Sequence, residues 1–365
     1  MSSNSKGLPQ PNSSEFTRRQ FIKTTLTGIA AVGTGSIGLP ALAAGKPKEI
    51  VHANWGGDAL KCHNKIHAKP FTKKYGVKVL IDGSGPLEGK IKAMAEKKNV
   101  IWDCADADWW NGTRLGQQGL LEPIDWSIVD KSKNLFSGRY ASMSYSYAYP
   151  IVYDKSKVGD DPPKNWADFW NVKKYPGKRC LYKWLTFALE AALMADGVQP
   201  DSLYPLDIDR ALNKLKEIKD HLIFWQSGAE SQQMLLQGEV VMGQLWNTRA
   251  SVLEKDTNGR VTWTWNQAIF SPANWIVPKG NPAGREWAMR WLAFMQDPTR
   301  QVEMLKCVGF GTANPETFKL TGPELRRINS SDPENLKLMV QCNQDFYGKH
   351  YDEMLNRYLD LISSF

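Results

Sequence analysis

The 365-residue sequence predicts an α/β protein built as two lobes with a cleft between them, on three observations. Past residue 43, strand-like runs alternate with helical patterns of roughly 10–15 residues, the rhythm of a parallel sheet covered by helices. The roughly 320 residues after that point exceed what one hydrophobic core usually supports. Between two such alternating stretches lies the extended, aromatic segment 145–153, which suits a passage from one lobe to the other.

The first 43 residues read as an export address rather than as part of the fold. Thr17-Arg18-Arg19-Gln20-Phe21-Ile22-Lys23 precedes a weakly apolar run, and Ala41-Leu42-Ala43 has the small-x-small form that a signal peptidase accepts. Paired arginines ahead of a mild apolar stretch are the pattern of twin-arginine export, so cleavage is expected after Ala43. Four glycines and a proline interrupt the run, which argues against a membrane anchor. No later apolar stretch approaches the ~20 residues a membrane helix needs. Removing the leader takes away Lys6, Arg18, Arg19, Lys23 and Glu15 and lowers the net charge from +8 to +5. With no dense run of Lys and Arg, nucleic acid is not an expected partner.

Along the mature chain, residues 49–54 form a short strand ended by Trp55-Gly56-Gly57-Asp58. A helix follows to about Lys74, with Leu60, Ile66 and Phe71 as an irregular apolar stripe and Gly76 as its stop. Residues 77–81 make the second strand, and the turn around Ser84 leads to a helix over 87–97. The third strand is expected at 102–105, before Asp106-Ala107-Asp108-Trp109-Trp110-Asn111. Beyond the aromatic passage come a short helix at 166–170, a strand at 179–182 and a helix at 184–195. Residues 207–219 are amphipathic, with Ile208, Ala211, Leu212, Leu215 and Ile218 on one face. Strands at 222–225 and 240–246 each lead into a helix, at 229–237 and from Asn247 onward. Segments 261–265 and 268–278 are extended, the latter returning the chain to the first lobe. Helices at 285–296, 299–307, 324–327 and 344–363 complete the molecule. The expected lobes are 44–150 with 275–315, and 151–274 with 316–365.

Enzyme chemistry finds little support. No G-x-S-x-G, H-E-x-x-H or G-x-x-x-x-G-K-[ST] occurs, and no glycine-rich dinucleotide fingerprint follows the first strand. The five cysteines, Cys62, Cys104, Cys180, Cys307 and Cys342, contain no C-x-x-C pair. An oxidising compartment permits up to two disulfides, and spacing leaves the pairing open. Twin-arginine export carries folded proteins, so an exported metalloenzyme is the rival class. Its best support is Cys62-His63 with His67, because histidines at i and i+4 share a helix face. Lys61 and Lys65 flank the pair, and His52, His221 and His350 lack ligand spacing. A solvent-facing pair without metal is therefore expected, and no cofactor.

Ligands of open α/β sheets bind beyond the carboxyl ends of strands, where helix N-termini offer free N–H groups. Four such turns here are polar or aromatic: 55–58, 106–111, 227–230 and 246–249. The chain also carries Asn54-Trp55-Gly56-Gly57, Gly119-Leu120-Leu121-Glu122-Pro123-Ile124-Asp125, Pro163-Lys164-Asn165-Trp166-Ala167-Asp168-Phe169-Trp170, Tyr175-Pro176-Gly177-Lys178-Arg179, Ser227-Gly228-Ala229-Glu230-Ser231-Gln232-Gln233, Trp246-Asn247-Thr248-Arg249 and Asn266-Gln267-Ala268. In this order it resembles the spermidine/putrescine-binding branch of the ABC solute-binding proteins. The resemblance implies a type II periplasmic binding protein fold that closes on one ligand like a hinged trap. It implies that Trp55 flanks the ligand, that the loop from Asp106 through Trp109 to Trp110 supplies contacts, and that Trp246 stacks from the second lobe.

The departures from that family bear on the ligand. Where polyamine binders place acids, matching puts Ala273, Lys183 and Trp184, and Ser271 stands where they have a nearby aromatic. The acids left near the cleft, Asp58, Asp106, Asp108 and Glu230, face Lys183 and Arg249. Buried polycations demand carboxylates, so a ligand with a carboxylate or a single amine is expected, with polyamine as the second reading. Arg249 is the expected anion anchor, although a first-turn arginine also suits pairing with a nearby acid. Asp58 or Asp106 would accept an amine. Ser227-Gly228 serves as helix cap or ligand contact, and Trp275 reads as core. The expected site thus holds Trp55, Gly56, Gly57, Asp58, Ser84, Asp106, Trp109, Trp184, Ser227, Gly228, Trp246, Arg249, Ser271 and Ala273. The expected partners are a permease and its ATPase, with the receptor itself a monomer.

Overall fold

The computed structural model describes residues 45–365, so the leader expected over residues 1–43 lies outside the described residues. β1 (Glu49–Ala53), β2 (Lys78–Asp82) and β3 (Cys104–Asp108) pair in parallel around a central β1. Between β1 and β2 run α1 (Asp58–His63), a π-helical turn (Asn64–Ala68) and α2 (Lys69–Tyr75). α3 (Glu88–Glu96) precedes β3 and α4 (Trp109–Gln117) follows it. β3 begins two residues later than the sequence suggests. The Asp103 carboxylate is the reason: it accepts the backbone N–H groups of Val51 and Ala283 at 2.7 and 2.6 Å, so the regular ladder starts at Cys104. Acids at 106 and 108, poor strand formers, concealed the true register.

β4 (Ser142–Asp154) is the first crossing and is buried almost throughout. α5 (Lys155–Val158), α6 (Trp166–Trp170), β5 (Arg179–Tyr182) and α7 (Ala188–Ala195) follow. The helix expected from Trp184 starts only at Ala188, because Leu185 and Phe187 adopt left-handed backbone angles (φ 73° and 65°) in a tight turn that buries both side chains. α8 (Ile208–Lys216), β6 (Leu222–Trp225), α9 (Gly228–Leu236), β7 (Met242–Gln244) and α10 (Asn247–Asp256) continue the alternation, with β7, β5 and β6 parallel.

The two extended segments read from the sequence are one strand, β8 (Val261–Ile276). It runs antiparallel to β4 over most of its length. The ladder slips at Pro150, which has no N–H to give, and residues 265–268 bulge out opposite it, with Gln267 at φ 59°. α11 (Arg285–Met295), α12 (Pro298–Val308), β9 (Gly311–Thr312), α13 (Pro323–Ile328), α14 (Pro333–Leu336), β10 (Val340–Gln341) and α15 (Gln344–Ile362) finish the chain. The strand path is β2-β1-β3-β8-β4-β7-β5-β6, a mixed rather than wholly parallel sheet because both crossings run against their neighbours.

Burial divides along the same line. Phe71, Val79, Trp291 and Met295 pack one face of β1–β3, while Trp102, Leu115 and Ile276 pack the other. A separate core gathers Trp166, Phe169, Leu189, Leu215, Trp225 and Leu253, closed by Tyr347 and Tyr358 of α15. Cys62 and Cys307 form a disulfide joining α1 to α12, while Cys104, Cys180 and Cys342 are free and buried. His63 and His67 do not face solvent as expected: both are buried, with His63 stacked on His52 and His67 edge-on to Trp291. The apolar side of this helix was hidden because its face is filled by imidazoles rather than aliphatics. No grouping of three or more His, Cys, Asp or Glu fit to hold a metal ion occurs among the described residues. No helix among them is long and apolar enough to cross a membrane.

Candidate functional site

The first turn is shaped by two glycines and a buried amide. Gly56 and Gly57 have positive φ, and a Cβ at Gly56 would lie 2.7 Å from the Gly83 carbonyl oxygen. Asn54, fully buried, accepts the Gly56 N–H at 2.9 Å and donates to Asp106 at 2.7 Å. This leaves Trp55 projecting, 42% exposed. Asp58 sits on the surface beside Lys61, and Ser84 is exposed in a turn whose carbonyl accepts Lys90 Nζ at 2.6 Å.

Asp106, expected as an amine acceptor, is instead consumed inside the first lobe. Its carboxylate takes Asn54 and lies 3.1 Å from His52 Nε2, while His52 Nδ1 accepts Trp291 Nε1–H at 3.0 Å. Two residues onward, at the carboxyl end of β3, Asp108 has no cation in salt-bridge range among the described residues and accepts the Tyr147 hydroxyl at 2.6 Å. Burial pushes its carboxyl up to about 6, the Tyr147 hydrogen bond pulling the other way. Tyr145, Tyr147, Tyr149, Tyr182 and Tyr351 all lie near enough for its charge, after burial, to oppose their ionisation. Ala273 and Ser271 pair across the ladder with Asp108 and Tyr147, both buried as floor, and the Ser271 hydroxyl receives Gln344. Trp109 is half-buried, edge-on to Phe136.

In the other half, Ser227 caps α9 and forms a capping box with Glu230, so its hydroxyl is already engaged. Trp246 donates to the Tyr149 hydroxyl at 2.6 Å and stands edge-on to Trp225 and Tyr182. Asn247 fixes the start of α10, accepting the Ala148 N–H and donating to the Gly309 carbonyl. Arg249 lies one turn on, half-buried, and no carboxylate among the described residues comes within salt-bridge distance of it. Its Nε is buried without a partner. Burial lowers the guanidinium from its ordinary value, with only the more distant Asp58 opposing. A Cβ at Gly228 would overlap Arg249 Nε and lie 2.9 Å from Trp246, and one at Gly57 would lie 3.9 Å from Arg249 Nη2. Arg249 thus reaches from one polar turn to the other. Trp184 stands 39% exposed with Lys183 against its ring.

Residues 67–324 match the model of a family described as bacterial extracellular solute-binding protein. The chain belongs to this family. A gamma-aminobutyric acid-binding protein of Pseudomonas aeruginosa is 27% identical over 346 residues, spanning 93% of this chain and 95% of that relative. A solved GABA receptor is 34% identical with a TM-score of 0.80, covering 86% of this chain and 97% of its own. An ABC transporter substrate-binding protein of Bradyrhizobium japonicum is 33% identical with a TM-score of 0.80, covering 86% and 99%.

The fold is accordingly that of a two-lobed solute-binding receptor of an ABC importer, a class that carries small molecules to a permease from the periplasm. For this solute-binding protein the structure brings Gly57, Gly228, Trp246 and Arg249 together. Asp108 and Tyr147 meet at the crossing strands. Ser84 stands outside this grouping. Tyr147, Tyr149 and Tyr182 were absent from the sequence reading of the site; the aromatic crossing segment was the one signal for the first two, and Tyr182 ends β5.

Proposed function

We propose that this solute-binding protein captures a small zwitterion, an amino acid whose carboxylate is held by Arg249 and whose amine is held by Asp108. The observation that carries it is the pair of half-buried opposite charges, each without a counter-ion among the described residues. Isolated buried charges are costly, so such groups mark where a ligand supplies the missing partner. A carboxylate fits the planar fork of Arg249, and an ammonium ion fits Asp108 among the rings of Tyr147, Tyr149 and Tyr182. Gamma-aminobutyric acid, named for two of the relatives, has this form. A polyamine has no carboxylate for Arg249 and would bring two or more ammonium groups to one free acid.

Trp55 and Trp184 would close over the ligand from opposite sides, and closure would draw on the ligand's contacts with both lobes. The lobes on this reading are 44–150 with 275–315 and 151–274 with 316–365, which the separate hydrophobic cores support. The receptor acts as a monomer without catalysis, leaves the cytoplasm by the twin-arginine route with cleavage after Ala43, and docks on a permease driven by a cytoplasmic ATPase. A thermal-shift and calorimetric screen of ω-amino acids, organic acids and polyamines tests the ligand assignment. Amino acids should raise the melting temperature most. Tight polyamine binding that survives Arg249→Ala would overturn it.

A further inference from the structure

A small cavity lies in the first lobe. It is lined by His63 of α1 and His67 of the π turn, Ser144 of β4, Trp275 of β8, and Met295 and Met304 of α11 and α12. All six side chains are at least nine-tenths buried. The cavity measures about 10 Å³, close to what one water molecule requires. Five buried polar atoms of these lining residues have no protein partner among the described residues: both ring nitrogens of His63, His67 Nδ1, Ser144 Oγ and Trp275 Nε1. An unpaired buried polar group costs about 1–3 kcal/mol, so this concentration of them points to an occupant.

The chemistry of those atoms selects what it is. Trp275 Nε1 can only donate, and the serine hydroxyl donates or accepts. Burial holds both imidazoles below their ordinary values, His63 down to about 4, so each is neutral and offers a lone pair. Two imidazoles and two thioethers would by themselves suit a soft metal ion. Trp275 Nε1–H, however, is also buried and unpaired in this lining, and as a pure donor it would repel a cation. The occupant must accept on one side and donate on the other.

We propose that this cavity is a binding site for one water molecule, accepting from Trp275 Nε1–H and Ser144 Oγ–H and donating to His67 Nδ1 and one nitrogen of His63. Every valence of the water is then used. The water ties the helical segment behind the Trp55 turn to both crossing strands, at the base of the hinge. It therefore belongs to the frame of the first lobe rather than to the ligand, and its place does not depend on which solute the cleft takes.

The experiment uses the wild-type protein, purified without added metal. A crystal structure that orders waters should show one light atom about 2.7–3.2 Å from Trp275 Nε1 and from Ser144 Oγ. In solution, the Trp275 indole proton should show a cross-relaxation peak to a long-lived water. Absence of both signals overturns the proposal. So does stoichiometric copper or silver with anomalous density between His67 and Met304. A variant gives a second readout: Ser144→Val fills the cavity with methyl groups. Displacing a bound water would leave Trp275 and His67 unpaired and lower the melting temperature by a few degrees, whereas filling a dry void would raise it, the opposite result.

Discussion

Arg249 and Asp108 carry opposite charges on half-buried side chains, and neither meets a counter-ion among the described residues. Charge-assisted hydrogen bonds contribute about 1.5–3 kcal/mol, so Arg249→Ala should weaken a carboxylate ligand on the order of 10–100-fold by calorimetry. The melting temperature of the ligand-free protein should stay nearly unchanged, because the side chain pairs with nothing in the fold. Asp108→Asn should weaken an amine-bearing ligand to a similar degree. Since burial pushes the Asp108 carboxyl up to about 6, the empty site is largely ionised at pH 7 and protonates as pH falls through 6. Amine affinity should therefore hold above pH 7 and decline below 6; a flat profile down to pH 5 would count against Asp108 as the acceptor. Asp108 stood among the acids visible in the sequence, but so did Asp106. What separated them was His52 and Asn54, more than fifty residues away, which occupy Asp106 alone.

At the scale of elements, the strand-to-helix turns were legible because glycine, caps and aromatics mark them locally. Their interior contacts were not. Gly228 is required less by its own turn than by the side chains of Trp246 and Arg249 laid over it. Gly228→Ala should therefore cost ligand affinity at least tenfold by displacing Arg249, while circular dichroism shows the helices intact; wild-type affinity would show that the arginine tolerates displacement. The helix beginning at Ala188 rather than Trp184 teaches the same lesson. The apolar run 184–195 reads as one helix, yet Leu185 and Phe187 take left-handed angles in a turn that buries both side chains. The bulge opposite Pro150 was divided into two strands by sequence reasoning because Asn266-Gln267 looks like a turn; the long ladder with β4 overrides it.

At the scale of the molecule, the Cys62–Cys307 bond closes 245 residues of sequence. Replacing both cysteines by serine should lower stability by about 2–5 kcal/mol, read as a lower denaturant midpoint; an unchanged midpoint would mean that α1 and α12 hold without it. The buried histidines set an acid limit. Burial lowers His63 to about 4, with Asp106 opposing and His52 adding, and also lowers His67 well below its ordinary value, with His63, Arg300 and His52 adding. In the unfolded chain each titrates near 6.5, so below that pH the unfolded state binds more protons and stability falls with pH, until about pH 4 for His63. The loss is on the order of 3 kcal/mol for His63. Asp108, with its raised carboxyl, acts in the opposite sense. The slope should therefore be clearest in Asp108→Asn protein, compared by denaturant unfolding at pH 7 and pH 5; equal stability at both would refute it.

The sequence by itself determined the α/β class, the two-lobe order, the family resemblance and the four turns from which the site is drawn, because periodicity, caps and glycines act over a few residues. Only the tertiary structure decided that His63 and His67 turn inward, that Cys62 finds Cys307, and that Asp106 is taken up by His52 and Asn54 while Asp108 meets only a tyrosine hydroxyl. Those outcomes depend on which distant groups reach a buried side chain first, and burial sets the energy of a charge or a polar atom in ways that no local pattern encodes.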